Sequence, residues 1–498
     1  MYIDLDRVSG MKKTSNYLDE IDKKLEQLKK ELRDIKYRNI DTYGIMKIPI
    51  WMLLRARYLL PHQTVRSKFK EFLWFIKELT RLIIYKKGCS NLSSNEPRKH
   101  VIFILDHDQP TFLKMQFDLM KKFDCESLTI ITFDKGLYPR NKSQFKNVYY
   151  TGEFEQTIHL TLSHLKTALK FIREIPIIRK ENLLFKLRCC RDLLIAMKWI
   201  DFYHNYLDIN AHKAIVTLSD LHCHENVITN VGNIKGVKTF SLQHGLVSAN
   251  DIPVSSDRIF VWGEKTKREL VKYDVPEEKV VVAGYPSLDK ILRKYSEKKE
   301  IIKQSYFKQY SQGVKKPIVT YIAGNFGPDE ESKLFESFLS ISDLDILPVV
   351  KLKATLGNKQ IELYKQRIRR LPHKHNICLR INSDLHEILT ATDILVGFVS
   401  SVVVEALPFS VICVVLDLFD YIDLKTMLPH YSDCQVVHND RELRELIGRI
   451  ISDPGYCSML KNNSLSNSKK YFNNSIDGDA SQIIHDYINA FVEKSNDL

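Results

Sequence analysis

The chain has 498 residues, 44% of them hydrophobic and 27% charged, the composition of an ordinary globular protein with room for two large domains, or three units of which one is small. No run reaches the roughly eighteen apolar residues of a membrane span. The formal charge is +13, but roughly ten of those charges fall in the first hundred residues; the nearly balanced remainder argues against a nucleic-acid partner.

The first forty residues are charged throughout, unlike a secretory signal. Nine cysteines without a C-x-x-C pair are expected to be free thiols in a reducing, cytoplasmic compartment. Leu18, Ile21, Leu25, Leu28, Leu32 and Ile35 alternate steps of three and four, an a/d seam over about three heptads flanked by Lys and Glu. Such a helix pairs with a copy of itself, giving a homo-oligomer through residues 18–35, or lies on the protein's own surface. An apolar stretch from Gly44 to Pro61 follows. Glu71 to Lys87 is amphipathic, with Phe72, Phe75, Ile76, Leu79, Leu82 and Ile83 on one side and Lys77, Arg81, Lys86 and Lys87 elsewhere. An aromatic, basic helix of this kind rests on a membrane interface or packs on the next domain. The Ser- and Asn-rich stretch from Cys89 to Pro97 reads as the linker closing an N-terminal helical region, residues 1–97.

From residue 98 short apolar runs alternate with helices, the pattern of a parallel, doubly wound α/β sheet. Strands are expected at 101–105, 128–133, 147–151, 214–218, 237–242, 258–262 and 279–283, with long helices at about 155–173 and 181–206. The charged segment 295–312 reads as a connection. A second unit follows, with strands expected at 317–322, 346–352, 376–380, 394–396 and 411–416, and closing helices near 442–451, 458–471 and 480–492. The expected architecture is two Rossmann-like domains, 98–300 and 312–498, facing a cleft that would take a nucleotide and an acceptor.

Ligands of open α/β sheets bind outside the carboxyl ends of the strands, so residues at those ends are the candidates. In the first unit, the run to Leu242 is broken by Gln243, His244 and Gly245. A glycine there lets the chain turn sharply and approach a ligand closely; a plain strand-end turn with a half-buried imidazole is the alternative. His244, neutral near the usual pKa of about 6.5, is the best-placed general base for a sugar or polyol hydroxyl. Asp106, His107 and Asp108 end the first strand and compete for that role. Asp220 lies in the turn after the strand at 214–218. The cluster His222, Cys223, His224, Glu225 invites a zinc reading, but its histidines are only two apart and no second ligand pair appears. No metal is expected.

In the second unit Gly324-Asn325-Phe326-Gly327 forms a glycine-containing turn after the first strand. Lys351 and Lys353 alternate along one strand and would share a face, holding donor phosphates or simply solvated. Ser400 and Ser401 open a helix whose free N–H groups and dipole suit a phosphate or pyrophosphate. Glu405, about one turn in, is placed to accept from ribose hydroxyls. A Ser N-cap followed by an ordinary helical Glu is the alternative.

Gln243-His-Gly245, Arg258-Ile-Phe-Val-Trp-Gly263, Val280-Val-Val-Ala-Gly-Tyr-Pro286, Ser400-Ser-Val-Val-Val-Glu-Ala406 and Asp477-Gly-Asp-Ala-Ser-Gln-Ile483 occur in that order. Over about Val101 to Leu498 the chain thereby resembles the GT-B glycosyltransferase superfamily, in particular bacterial surface and capsule polysaccharide transferases, including CDP-glycerol glycerophosphotransferases. The resemblance implies a nucleotide sugar or CDP-polyol as donor substrate in the second unit, bound through Ser400, Ser401 and Glu405, with no separate cofactor. Gly324, Asn325, Lys351 and Lys353 are expected beside them. It implies a glycan or lipid-linked acceptor in the first unit with His244 as base, near Gln243, Gly245, His107, Asp220 and Tyr285. The transfer would be inverting and metal-independent, in the cytoplasm or peripherally on the inner membrane face. One departure stands out. Relatives carry Lys-Leu-His-Pro where this chain has Lys351-Leu-Lys353-Ala354, so an ammonium replaces the expected phosphate-binding imidazole. A nucleotide-sugar epimerase of the same fold and a non-catalytic polymer-binding subunit are the rival readings.

Overall fold

The computed structural model describes residues 23–24, 27, 30, 36–41, 45–47, 49–50, 101–105, 110–133, 135–151, 161–209, 212–219, 223–247, 252–286, 288–323, 328–353, 356–372, 377–381, 383–398, 400–419, 434–472 and 479–494. The apolar positions of the heptad seam and the amphipathic stretch from Glu71 to Lys87 lie outside these. The chain groups into two units, one within residues 16–262, 266–287 and 479–498, the other comprising residues 263–265 and 288–478.

The first unit opens with a hairpin, β1 (Lys36–Tyr37) and β2 (Ile40–Asp41), paired antiparallel. Its turn places Arg38 and Asn39 at φ 48° and 67°, the left-handed pair of a type I′ turn, which asparagine tolerates well. Ile40 and Ile45 are buried with Ile102, Trp199, Tyr203 and Ile215, and the Lys47 ammonium donates to the Ile252 carbonyl. Residues read from the sequence as a separate helical region thus contribute strand and core to the first unit.

Seven parallel strands follow: β3 (Val101–Leu105), β4 (Leu128–Thr132), β5 (Val148–Tyr150), β6 (Ala214–Thr217), β7 (Lys238–Leu242), β8 (Arg258–Val261) and β9 (Val280–Val282), in the order β5-β4-β3-β6-β7-β8-β9. Their interior is buried on both faces, which is why they read as unbroken apolar runs. The 27-residue helix Leu183–Ile209 is apolar around most of its girth because it is enclosed, packing on helices Leu162–Glu174 and Cys223–Ile234.

The second unit carries six parallel strands: β10 (Ile318–Ile322), β11 (Leu347–Lys351), β12 (Cys378–Arg380), β13 (Ile394–Gly397), β14 (Ile412–Leu416) and β15 (Gln435–Val437), in the order β12-β11-β10-β13-β14-β15. The segment expected to be a connection, helical or loose, is helical, spanned by Leu288–Ser296 and Lys299–Tyr310. Tyr306 and Phe307 are buried against Ile318, Leu347 and Ile388, so that segment belongs to the second unit's core. The last helix, Ala480–Lys494, groups with the first unit, not with the second where the chain order had put it. Gly263, at the start of helix Glu264–Lys272, has a packing reason. A Cβ there would fall 2.4 Å from the Tyr471 carbonyl oxygen.

Candidate functional site

Strand order reverses once in each sheet. In the second, β11 and β12 lie to one side of β10, and β13, β14 and β15 lie to the other. At the carboxyl ends of β10 and β13, Ile322 stands opposite Gly397. The connections leaving those two strands diverge, which opens the crevice where such sheets take their ligands.

Beyond β13, Ser400 is extended (φ −158°, ψ 146°) and caps the helix Ser401–Glu405, its Oγ accepting from the Val402 N–H at 3.4 Å. A helix of five residues has little macrodipole. What it offers an anion is the set of N–H groups that a first turn leaves without intrahelical partners. Glu405 ends that helix and is only 5% exposed, so it is not an ordinary helical glutamate. Burial pushes its carboxyl pKa up; the charge of His386 and a hydrogen bond from the Ser401 hydroxyl oppose this without cancelling it. Its Oε2 is buried with no hydrogen-bond partner among the described residues.

His386 is the neighbour that sequence reading misses. It is 7% exposed, its Nε2 is also buried without a partner, and its ring lies roughly parallel to Phe409 at 6.2 Å. Asp384 positions it by capping the helix Leu385–Ala391: the carboxylate accepts from the His386 N–H at 2.8 Å and from the Tyr295 hydroxyl at 2.8 Å. The hydrogen bonds from His386, set against the cost of burial and helped by that from Tyr295, hold the Asp384 carboxyl well below the usual range. A buried carboxylate oxygen and a buried imidazole nitrogen, both unpaired, leave hydrogen-bonding capacity that ligand hydroxyls can satisfy. The only sequence signal for His386 was an Asp N-cap just after a predicted strand.

Lys351 ends β11 and is buried, its Nζ donating to the Leu352 carbonyl at 2.7 Å; Lys353 is half-buried. Burial lowers both ammonium pKa values, opposed by Asp384 at Lys351 and by Glu331 at Lys353. These are desolvated cations and not solvated surface lysines. However, β11 stops at Lys351, so the alternation that put both on one face does not extend to Lys353. Each ammonium has its own carboxylate neighbour.

In the first unit, β3 and β6 are the diverging pair, and His244 follows β7, one strand further out. Gln243 is fully committed to the turn. Its N–H donates to the Phe260 carbonyl at 2.9 Å, its Oε1 accepts from the Trp262 N–H at 2.7 Å, and its Nε2 donates to the Gly245 carbonyl at 2.8 Å. The Trp262 indole closes the frame on the Gln243 carbonyl at 2.9 Å, and Tyr285 packs on Trp262 with ring centroids 4.7 Å apart. Gln243 and buried Tyr285 therefore build the frame of this turn, while His244 and Gly245 stay partly exposed. Gly245 is not in the left-handed region, and a Cβ on it would meet nothing within 4 Å. Its value is open space beside His244, not an unusual backbone. His224 lies 4.0 Å from the Phe133 ring and 4.7 Å from Trp199, inside an aromatic cluster.

Three solved structures are similar to this chain over most of both lengths. The UDP-GlcNAc 2-epimerase from Neisseria meningitidis bound to UDP-GlcNAc is 13% identical at a TM-score of 0.52, covering 78% of this chain and 100% of that one. The S. aureus MnaA–UDP structure is 14% identical at 0.52, covering 79% and 97%. A putative UDP-N-acetylglucosamine 2-epimerase from Listeria monocytogenes is 11% identical at 0.52, covering 80% and 97%. The fold is of the GT-B type. At these identities the likeness speaks for the fold alone. No protein-family model matches the sequence, and neither does any curated protein.

On the GT-B frame, the expected donor residues Lys351, Lys353, Ser400, Ser401 and Glu405 all follow the carboxyl ends of β11 and β13. Gly324 and Asn325 lie outside the described residues, as do Asp106, His107, Asp108 and Asp220. Among the described residues no group of His, Cys, Asp and Glu could hold a metal ion, and no helix is long and apolar enough to cross a membrane.

Proposed function

We propose that this chain is a GT-B enzyme using a nucleotide-activated donor held at the carboxyl edge of the second sheet. We infer that it transfers a sugar, or a polyol phosphate, to a growing bacterial surface or capsular glycan. The observation that carries the reading is Glu405, a buried carboxylate with an unpartnered oxygen, one turn beyond the diverging strand pair. On this reading Glu405 accepts from the ribose hydroxyls, and Ser400, Ser401 and the adjoining N–H groups hold the diphosphate. Lys351 and Lys353 balance the charge that grows on the departing nucleotide. A desolvated ammonium stabilises developing charge more than a solvated one does. His244 takes the acceptor hydroxyl's proton as that oxygen bonds to the reacting centre of the donor. The bond to the nucleotide phosphate breaks in the same step, so a sugar transfer inverts the anomeric configuration.

A thermal-shift series with UDP, CDP, GDP and their sugar or glycerol conjugates tests the donor site. A ligand at a hundredfold its Kd stabilises by about 2.7 kcal/mol, and Glu405→Gln should abolish the shift given by the effective nucleotide. No shift with any of them would leave the polymer-binding reading in its place. His244→Ala should keep the nucleotide shift and lose about 10²- to 10⁴-fold in turnover; unchanged turnover would remove His244 from the role.

The epimerase reading has one specific support. Two of the three similar structures carry the name of UDP-GlcNAc 2-epimerase, and the third, MnaA, holds UDP. An epimerase converts UDP-GlcNAc with no acceptor present, so NMR of the sugar nucleotide incubated with protein alone separates the two readings.

A further inference from the structure

A second concentration of charge lies at the opposite, amino-terminal edge of the same sheet. Pro317 and Asp393, just before β10 and β13, line a pocket of about 450 Å³ together with Lys303, Lys315, Lys316 and Lys461. Against these four lysines the lining offers two carboxylates, Asp393 and Glu300. Asp393 is already engaged. One of its oxygens accepts from the Ile318 N–H at 3.1 Å, and the other receives both the Lys303 Nζ at 2.9 Å and the Lys461 Nζ at 2.8 Å. Two ammonium groups thus crowd a single carboxylate oxygen, and against the cost of burial Asp393 holds the Lys461 ammonium pKa up. Lys316 pairs outward with Asp345 at 2.8 Å, and Lys315 is in no ion pair among the described residues. The crowding reaches the next turn of helix. The Lys299 ammonium is pushed down by burial and by Lys303 and Lys461, although Asp393 opposes them.

We propose that this pocket binds a small phosphate-bearing dianion, such as the phosphate or pyrophosphate group of a metabolite. Its volume is within the range of small-ligand sites, about 300–1,000 Å³. Its cations outnumber its anions even with Asp345, the partner of Lys316, counted in. Ammonium groups, as compact point charges, suit phosphate oxygens that approach from several directions. An anion bound here would offset the charge that Lys303 and Lys461 together place on Lys299. It would also brace the starts of β10 and β13, the strands whose far ends diverge at the proposed donor site. The assignment does not depend on what the donor is.

Titration calorimetry of the full chain with inorganic pyrophosphate, at ionic strength matched with sodium chloride, tests the proposal. The expected result is saturable binding, weakened about fivefold or more by Lys315→Ala and likewise by Lys461→Ala. Lys315 carries no native ion pair in the described structure, so its variant keeps the test interpretable if Lys461→Ala fails to fold. Absence of saturable binding would overturn the proposal, and so would binding that Lys315→Ala leaves unchanged.

Discussion

Gln243 holds the His244 turn with both ends of its side-chain amide. Changing it to Ala leaves the buried Trp262 N–H without an acceptor and releases the Gly245 carbonyl. A loss of about 2–4 kcal/mol is expected in urea unfolding; a loss under about 1 kcal/mol would mean that another group takes over both bonds. Glu405 makes the opposite prediction. Its folded pKa is raised, so its contribution to stability is complete below the unfolded value near 4.3 and is lost as pH rises through the folded value. Glu405→Gln, neutral throughout, should therefore gain on the wild type between about pH 4.5 and 7.5, even as it loses nucleotide binding. Parallel unfolding series at those two pH values check the sign. A variant that loses ground as pH rises would show that the native carboxylate is stabilised, not strained.

At the scale of elements, the hairpin β1–β2 is fastened by one carboxylate. Asp201 accepts from the Tyr37 hydroxyl at 3.0 Å, from the His164 Nε2 at 3.0 Å and from the Arg38 Nε at 2.7 Å. His164 also completes the N-terminus of helix Leu162–Glu174. Its Nδ1 accepts from the Thr161 N–H at 2.9 Å while its own N–H donates to the Thr161 Oγ1, the reciprocal pair that a Glu or Gln usually makes. Nδ1 is thereby unprotonated, and Nε2 carries the hydrogen given to Asp201. Burial raises the Asp201 pKa, but the hydrogen bonds from His164 and Tyr37 and the charge of Arg38 outweigh it and leave it lowered. Its stabilisation is thus present above the unfolded value near 3.9 and is lost as pH falls through the folded one. Asp201→Asn should cost about 1–3 kcal/mol at neutral pH, the gap closing below about pH 4. A gap independent of pH would assign the effect to shape and not to charge. None of this clamp was legible in the sequence. Its strands are two residues long, and the carboxylate is 164 residues from Tyr37. By contrast, the strands expected between residues 101 and 416 all formed within two residues of their bounds, because strands buried on both faces declare themselves by composition alone. The strand ends also led to Ser401 and Glu405, which lie beyond the carboxyl end of β13. They could not lead to His386, whose importance arises from burial beside a residue nineteen positions away, nor reveal that Gln243 faces inward.

At the scale of the whole molecule, the last helix decides which residues unfold together. Its Ile484 and Ile488 are fully buried. Phe491 meets Phe240 edge-on at 5.6 Å, Tyr487 meets Phe260 at 5.4 Å, and the Tyr487 hydroxyl accepts from the Arg258 Nε at 3.1 Å. Lys122 and Asp479 form an ion pair at 2.6 Å. Residues far apart in sequence thus finish the first unit's core over β7 and β8, which chain order alone could not reveal. The tryptophans make this testable. All four, at positions 51, 74, 199 and 262, precede the second unit, and residues 288–478 contain none. Intrinsic fluorescence therefore follows the first unit, whereas far-ultraviolet circular dichroism follows both. Ile488→Ala should destabilise the fluorescence transition by about 2–5 kcal/mol, the cost of a cavity at a fully buried position. Removing residues 479–498 should do so more severely. In both variants the part of the dichroism change that fluorescence does not see should keep its midpoint. If the two signals moved together, the units would be unfolding as one cooperative body. If neither moved, the last helix would be an attachment and not part of the first unit's core.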